Sequence, residues 1–197
     1  MEKTYLYYSY MINERAKVIL DFCFVKTSMD QWFKKDKKFD DNLRKQFLND
    51  HTKASNNEYD EWQDNAEESV ALIMLLDQMS RNFFRNSSKA YEQDYKCRLI
   101  VNEAIDRGFV EELDKNKIHF LLLPLIHSED ISDHIFGHKL VNTYLKDHQE
   151  YDKIKKAWDD HTFAIKNFGR YPHRNIILGR ESTQKEREFL EMPNSSW

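Results

Sequence analysis

Three stretches of the sequence concentrate residue types that bind anions or transfer protons. The first follows an apolar run and contains Asp77, Gln78, Arg81, Asn82 and Arg85. Arg81, Asn82 and Arg85 lie three, four and seven positions after Gln78, so these four side chains are expected on one face of a helix. Asp77 can pair with Arg81, which lies one helical turn further along. An arginine near a helix C-terminus also complements the helix dipole, and this structural role by itself explains the stretch.

The second stretch reads His127-Ser128-Glu129-Asp130. Serine is a favoured N-cap and acidic residues are favoured in the first turn, so a helix that starts here accounts for the last three residues. His127 follows an apolar run directly and has no such explanation. It is therefore a candidate functional residue.

The third stretch, residues 161–180, is basic and contains no Asp or Glu. Its candidate residues are His161, Arg170, His173, Arg174 and Arg180. Apolar residues between them favour burial, and a basic loop held in this way needs carboxylates or a bound anion nearby. Ion pairs with Asp77, Glu129 or Asp130 would meet that need, and so would a ligand site. The sequence leaves both open.

The elements that position these residues are predicted to be helical. Only 4 Gly and 3 Pro occur in 197 residues, too few for the turns of a β-sandwich or barrel. Residues 70–76 are apolar on all sides, which predicts a helix buried on every face. We expect an all-α fold of seven to eight helices stacked as antiparallel pairs, with an N-terminal extension at residues 1–13 and a single helical domain at residues 14–197.

Local signals also mark helix ends. Gly108 and Gly169 each follow a helical pattern, in the position that glycine takes just beyond a helix C-terminus. Thr183 and Glu186 have the spacing of a capping box, which predicts the start of the final helix.

Composition excludes several classes of function. The net charge of −4 and the pI near 6.1 argue against a nucleic-acid partner. No apolar run approaches the roughly 20 residues of a membrane-spanning helix, and the N-terminus lacks the pattern of a secretory signal. Cys23 and Cys97 lie in apolar-periodic stretches, which predicts buried free thiols. We expect a soluble cytoplasmic protein with no membrane partner, and its oligomeric state is not indicated.

Three motifs in this order resemble the bacterial domain-of-unknown-function 924 family. They are L-L-D-Q-x-x-R-N-x-x-R at residues 75–85, P-L-I-H-S-E-D at 124–130, and F-G-R-Y-P-H-R-N-x-x-L-G-R-x-S-T-x-x-E at 168–186. The likeness runs from about residue 15 to the C-terminus. The D-F-C-F segment at residues 21–24 also fits the N-terminal pattern of the family. The sequence departs from the residues usual in the family at Cys23, Val25, Ser80, Asn86 and Asn167. The resemblance implies a helical fold akin to tetratricopeptide-repeat proteins and implies no established activity.

The resemblance also implies a set of site residues. Carried over position by position, they are Asp77, Gln78, Arg81, Asn82, Arg85, His127, Ser128, Glu129, His161, Arg170, His173, Arg174, Asn175 and Arg180.

These residues support three functions. A pocket rich in arginine would bind a small anionic ligand or an acidic peptide terminus, because arginine recognises carboxylate and phosphate in a bidentate manner. A hydrolytic enzyme would use His127, His161 and His173 with Asp77 or Glu129, with or without a metal. A scaffold would present a groove to a protein partner. The binding pocket is preferred, and no cofactor or metal is expected, because the histidine spacing matches no compact metal motif.

Overall fold

The computed structural model describes residues 12–193 and 195–197. Residues 1–11, which hold most of the expected N-terminal extension, lie outside the described residues, as does Asn194. The described residues form helices joined by turns and loops, and no β-strand occurs among them. The all-α prediction is confirmed.

The α-helices range in length from four to 19 residues. The bounds are Glu14–Asp21 (α1), Met29–Trp32 (α2), Lys37–Ser55 (α3), Ala66–Ile73 (α4), Ser80–Phe83 (α5), Asp94–Asp106 (α6), Lys115–Ile126 (α7), Ile131–Tyr144 (α8), Tyr151–Phe168 (α9) and Gln184–Leu190 (α10). Helix α7 packs on α8, and α8 packs on α9. Short connections between such neighbours are typical of antiparallel pairs. The likeness to tetratricopeptide repeats stays a prediction.

Helix α4 forms the centre of the core. Residues 70–76 are fully buried, and α4 packs against α1, α6 and α7. This confirms the prediction of a helix buried on every face. A π-helical segment, Met74–Met79, joins α4 to α5 and contains the first polar residues after the apolar run. Such segments are frequent at functional sites.

Three of the predicted helix-end signals, at Gly108, at Gly169 and at Thr183–Glu186, are confirmed. Gly108 and Gly169 follow α6 and α9 with φ angles of 76° and 66°, in the left-handed region that glycine adopts without strain. Thr183 and Glu186 form the capping box of α10. The N-cap of α8 is Asp130, whose side chain accepts from the Ser132 backbone N–H, so the assignment of that role to Ser128 is wrong.

Both cysteines are buried free thiols, as predicted. Within the part of the chain that the structure describes, no helix combines the length and apolar character needed to cross a membrane.

Candidate ligand-binding site

Asp77, in the π-helical segment, is the centre of a buried charge network. Its fully buried carboxylate accepts hydrogen bonds from Gln78 Nε2 at 2.5 Å and His127 Nδ1 at 2.9 Å, and pairs with Arg81 Nη1 at 2.9 Å. Burial opposes ionisation, but the charge of Arg81 and the two hydrogen bonds outweigh it and lower the pKa of Asp77 to about 2. The predicted Asp77–Arg81 pair is therefore present, and His127 is its neighbour.

Asp94, the first residue of α6, extends the network to the loop after α9. Arg81 Nη2 donates to both oxygens of Asp94, at 3.1 and 3.2 Å. Arg174 Nη1 reaches the same carboxylate at a longer 3.4 Å. Arg81 thus contacts both carboxylates of the network, Asp77 and Asp94.

Arg174 is held more by aromatic rings than by carboxylates. Its guanidinium carbon lies 4.5 Å from the ring centroid of Tyr91 and 4.4 Å from that of Tyr171. The residue is 6% exposed, and its Nε has no hydrogen-bond partner among the described residues. Burial and the charge of Arg81 lower the pKa of Arg174, although Asp94 opposes this. Arg174 is an incompletely paired buried cation.

A cage of rings adjoins Arg174. The Trp197 indole stacks on the His161 ring with centroids 4.1 Å apart and an interplanar angle of 29°. The rings of Tyr171 and His173 meet the indole nearly edge-on, with centroids at 5.7 and 5.6 Å. Tyr171 is fully buried, and its hydroxyl donates to the Ile126 carbonyl oxygen. This bond fixes the shared wall of the cage.

The three imidazoles of this region favour their neutral forms. Burial lowers the pKa of His127, with help from the charge of Arg81. Burial also lowers the pKa of His161 well below its ordinary value, and burial with the charge of Arg174 lowers the pKa of His173 to about 3. The cage therefore has uncharged aromatic walls.

His127 and His161 both present an Nε2 lone pair. His127 Nδ1 donates to the Asp77 carboxylate, and His161 Nδ1 donates to the Ala157 carbonyl oxygen at 2.7 Å. A neutral imidazole has one N–H, so Nε2 of each ring carries the lone pair. No other described residue hydrogen-bonds to either Nε2 atom. Both can accept a proton or a hydrogen bond from a ligand.

Arg180 forms a bidentate pair with Glu129. Its Nη1 and Nη2 atoms donate to the two carboxylate oxygens at 2.7 and 3.0 Å. Glu129 also accepts from the Tyr171 backbone N–H at 2.8 Å. Burial opposes ionisation of Glu129, but the hydrogen bonds from Arg180 and Tyr171 keep its pKa low. The pair anchors the loop, which is the structural alternative left open by the sequence.

Arg170 and Asn175 are bound by Glu186 of α10. Arg170 donates to both oxygens of the Glu186 carboxylate, at 2.6 and 2.9 Å, and Asn175 Nδ2 donates to Oε1 at 3.3 Å. Glu186 is buried and also completes the capping box. These residues support the loop and do not join the network around Asp77.

Asn82 and Arg85 bind a different partner from Arg81. Both donate to Asp40 near the start of α3, at distances between 2.5 and 3.0 Å. Asn82 directly follows Arg81, so their side chains point about 100° apart around the helix axis, and Arg85 lies beyond the end of α5. The expected single polar face is therefore divided between two sets of partners.

Ser128 lies in a neighbouring polar group. Its Oγ accepts from Arg98 Nη1 at 3.1 Å, and Arg98 also pairs with Asp133 at 2.8 Å. Ser128 therefore tethers α6 to the start of α8 and does not enter the network around Asp77.

Sequence reasoning missed several residues of these groups. They are Asp40, Tyr91, Asp94, Arg98, Asp133, Tyr171, Glu186 and Trp197. Local spacing carries little signal for them, because each meets its partner across a contact between distant segments. Glu186 is the one exception, because the capping-box spacing with Thr183 predicted its place in the first turn of α10.

No group of three His, Cys, Asp or Glu side chains suited to a metal ion occurs among residues 12–193 and 195–197. Two cavities lie away from the network. One of about 470 Å³ is bordered by Asp60, Leu99 and Arg107, and one of about 250 Å³ lies beside Cys23 and Phe120.

Comparisons with known proteins agree with this fold. A solved protein of unknown function from Agrobacterium tumefaciens is 37% identical, with a TM-score of 0.82, and the match covers 90% of this chain and 97% of the other. No curated protein matches the chain. Residues 19–194 match the family described as bacterial protein of unknown function (DUF924). The chain belongs to this family.

Proposed function

We propose that the region around Arg174 binds a small organic anion or an acidic peptide terminus. The observation that carries this proposal is the incomplete pairing of a buried arginine. Arg170 and Arg180 each donate two hydrogen bonds of 3.0 Å or less to one carboxylate, whereas Arg174 has a single carboxylate contact, at 3.4 Å. A guanidinium in a dry site gains most from a bidentate carboxylate or phosphate.

The neighbouring imidazoles support the same proposal. His173 has a buried Nδ1 without a partner among the described residues, and the neutral rings of His127 and His161 present lone pairs. A bound anion would raise the pKa of these imidazoles, because a nearby negative charge favours the protonated form. Binding of the anion should therefore take up protons and become tighter as the pH falls.

A thermal-shift titration tests the binding function. Phosphate, citrate and a nucleotide are titrated into the wild type and Trp197→Ala, with sodium chloride at matched ionic strength as the screening control. A ligand present at 100 times its Kd stabilises the protein by about 2.7 kcal/mol, and a chain of this length gains about 2–4 °C of Tm for each kcal/mol. We expect at least one anion to give such a shift.

Two arginine variants serve as a matched pair. Arg174→Gln should abolish the shift produced by the anion, whereas Arg170→Gln should keep it, because Arg170 is engaged with Glu186. The proposal fails if no anion stabilises either the wild type or Trp197→Ala, or if the two arginine variants respond alike.

Proton-transfer catalysis is a second candidate, favoured by the contact between Asp77 and His127. A buried aspartate that accepts from Nδ1 orients the ring and leaves Nε2 as a general base. A panel of carboxylate and phosphate esters tests this function. His127→Gln should remove any hydrolysis, and His119→Gln should retain it, since His119 is a buried imidazole whose ring lies against Phe33 and Phe120. Equal rates in both variants would exclude this role of His127.

A further inference from the structure

We propose that the ligand of this site carries a planar aromatic ring beside its anionic group, and that the Trp197 indole occupies the place of that ring. The inference rests on the proposed function and names its ligand class. The cage supplies one stacked face, from His161, and two edge contacts, from Tyr171 and His173. Offset stacking and edge-to-face contacts are the arrangements that aromatic rings prefer.

The walls of the cage favour an uncharged aromatic ring over a charged group. His161 and His173 are neutral because burial lowers the pKa of both. The Tyr171 hydroxyl is already engaged with a backbone carbonyl oxygen. These side chains therefore present mainly uncharged ring surface to whatever fills the cage.

The Arg174 guanidinium and the ring site share one wall, the Tyr171 ring. Tyr171 forms a wall of the cage, and the Arg174 guanidinium carbon lies 4.4 Å from the centroid of the same ring. A ligand that used both features would carry an aromatic ring and a carboxylate in one small molecule or peptide end. Small aromatic carboxylates meet this requirement, and so do peptides that end in an aromatic residue.

Trp197 is held lightly enough to be displaced. The residue is 40% exposed, while Tyr171 and His161 are buried. Within the described segment 195–197, the hydrogen bond to the rest of the chain is that from Ser195 Oγ to the Leu190 carbonyl oxygen, at 3.1 Å. The apparent affinity of a ligand that competes with Trp197 equals its intrinsic affinity multiplied by the fraction of molecules in which the cage is free of the indole.

Calorimetric titration of the wild type and Trp197→Ala tests the inference. The probes are indole-3-acetate, acetate, indole and the peptide acetyl-Ser-Ser-Trp. We expect Trp197→Ala to bind indole-3-acetate more tightly than the wild type does. The variant should also bind indole-3-acetate at least about 10-fold more tightly than acetate, because only indole-3-acetate has a ring to bury in the cage. Met192→Ala, which truncates another exposed side chain of the C-terminal segment, should match the wild type.

The outcomes separate this inference from the proposed function. Equal affinities for acetate and indole-3-acetate in Trp197→Ala would overturn the aromatic requirement and leave anion binding in place. Absence of binding by every probe, together with no thermal shift by any anion, would overturn both. Tighter binding of the peptide than of indole-3-acetate would support a peptide as the source of the ring and carboxylate, and the reverse would support a small aromatic acid.

Discussion

At the scale of single residues, the buried charges of Asp77 and Arg174 differ in how many hydrogen-bonding or oppositely charged partners they contact. Asp77 is surrounded by three donors, from Gln78, Arg81 and His127. Arg174 lies between two tyrosine rings with one long contact to a carboxylate. Removal of one partner from a buried ion pair is strongly destabilising, and Arg174 has only its long contact with Asp94 to lose.

Asp77→Asn should therefore destabilise the protein strongly. The change leaves Arg81 and His127 without their anionic partner, but Arg81 retains Asp94. We expect a loss of about 3 kcal/mol, the lower end of the range for breaking a buried ion pair, measured by urea denaturation at neutral pH. Asp41→Asn, which breaks an exposed pair with Lys37, should have no measurable effect. Equal effects of the two substitutions would contradict the structural role of Asp77.

The stabilising effect of Asp77 also has a defined pH dependence. Its pKa is lowered from the ordinary 3.8 to about 2 in the folded protein. The contribution is therefore complete above the ordinary value and is lost as the pH falls through about 2.

At the scale of elements, the interface between α8 and α9 positions the cage. Gly137 of α8 lies directly against the Trp158 indole of α9, and a Cβ at position 137 would lie 2.1 and 2.2 Å from two ring carbons. Trp158 and His161 are three residues apart on α9, so they lie on neighbouring positions of one helix face. Close packing at Gly137 therefore sets the position of His161.

Gly137→Ala should force the two helices apart. We expect a loss of about 1–3 kcal/mol from overpacking, measured by chemical denaturation. The cause can be checked with a double-mutant cycle, because Trp158→Leu should cost less in the Gly137→Ala background than in the wild type. Strict additivity of the two substitutions would show that contact with the indole is not the source of the loss.

At the scale of the whole molecule, buried neutral histidines connect folding to pH. Burial lowers the pKa of His51 to about 4 and those of His119 and His173 to about 3, from an ordinary value of 6.5. The unfolded chain therefore binds protons in this range that the folded protein does not. The contribution of these three histidines to stability is therefore complete above pH 6.5 and is lost as the pH falls from there toward about 3.

His119→Leu should flatten this decline. The ring is buried beside Phe120, and its Nδ1 has no partner among the described residues, so leucine fits the apolar surroundings. The unfolding free energy, measured between pH 6.5 and 4, should fall less steeply in the variant than in the wild type. The two slopes should differ by at most about 1.4 kcal/mol per pH unit, which is the effect of one proton. An unchanged slope would show that His119 is protonated in the folded protein.

The sequence by itself determined the helical class and most helix positions. Scarce glycine and proline, the all-apolar residues 70–76, and the glycines after α6 and α9 are local signals, because helix formation and termination depend on residues within one or two turns. The Asp77–Arg81 pair could be predicted for the same reason, since four residues separate its members on one helix.

Only the tertiary structure decided which candidate residues meet. Residues 161–180 contain no acid, yet Arg170, Arg174 and Arg180 contact carboxylates from α10, α6 and the loop before α8. Trp197 enters the cage in the same way, from a segment far along the chain from His161. Such contacts depend on how helices pack, which local spacing does not encode. They distinguish the arginines that support the loop from Arg174, whose pairing is incomplete.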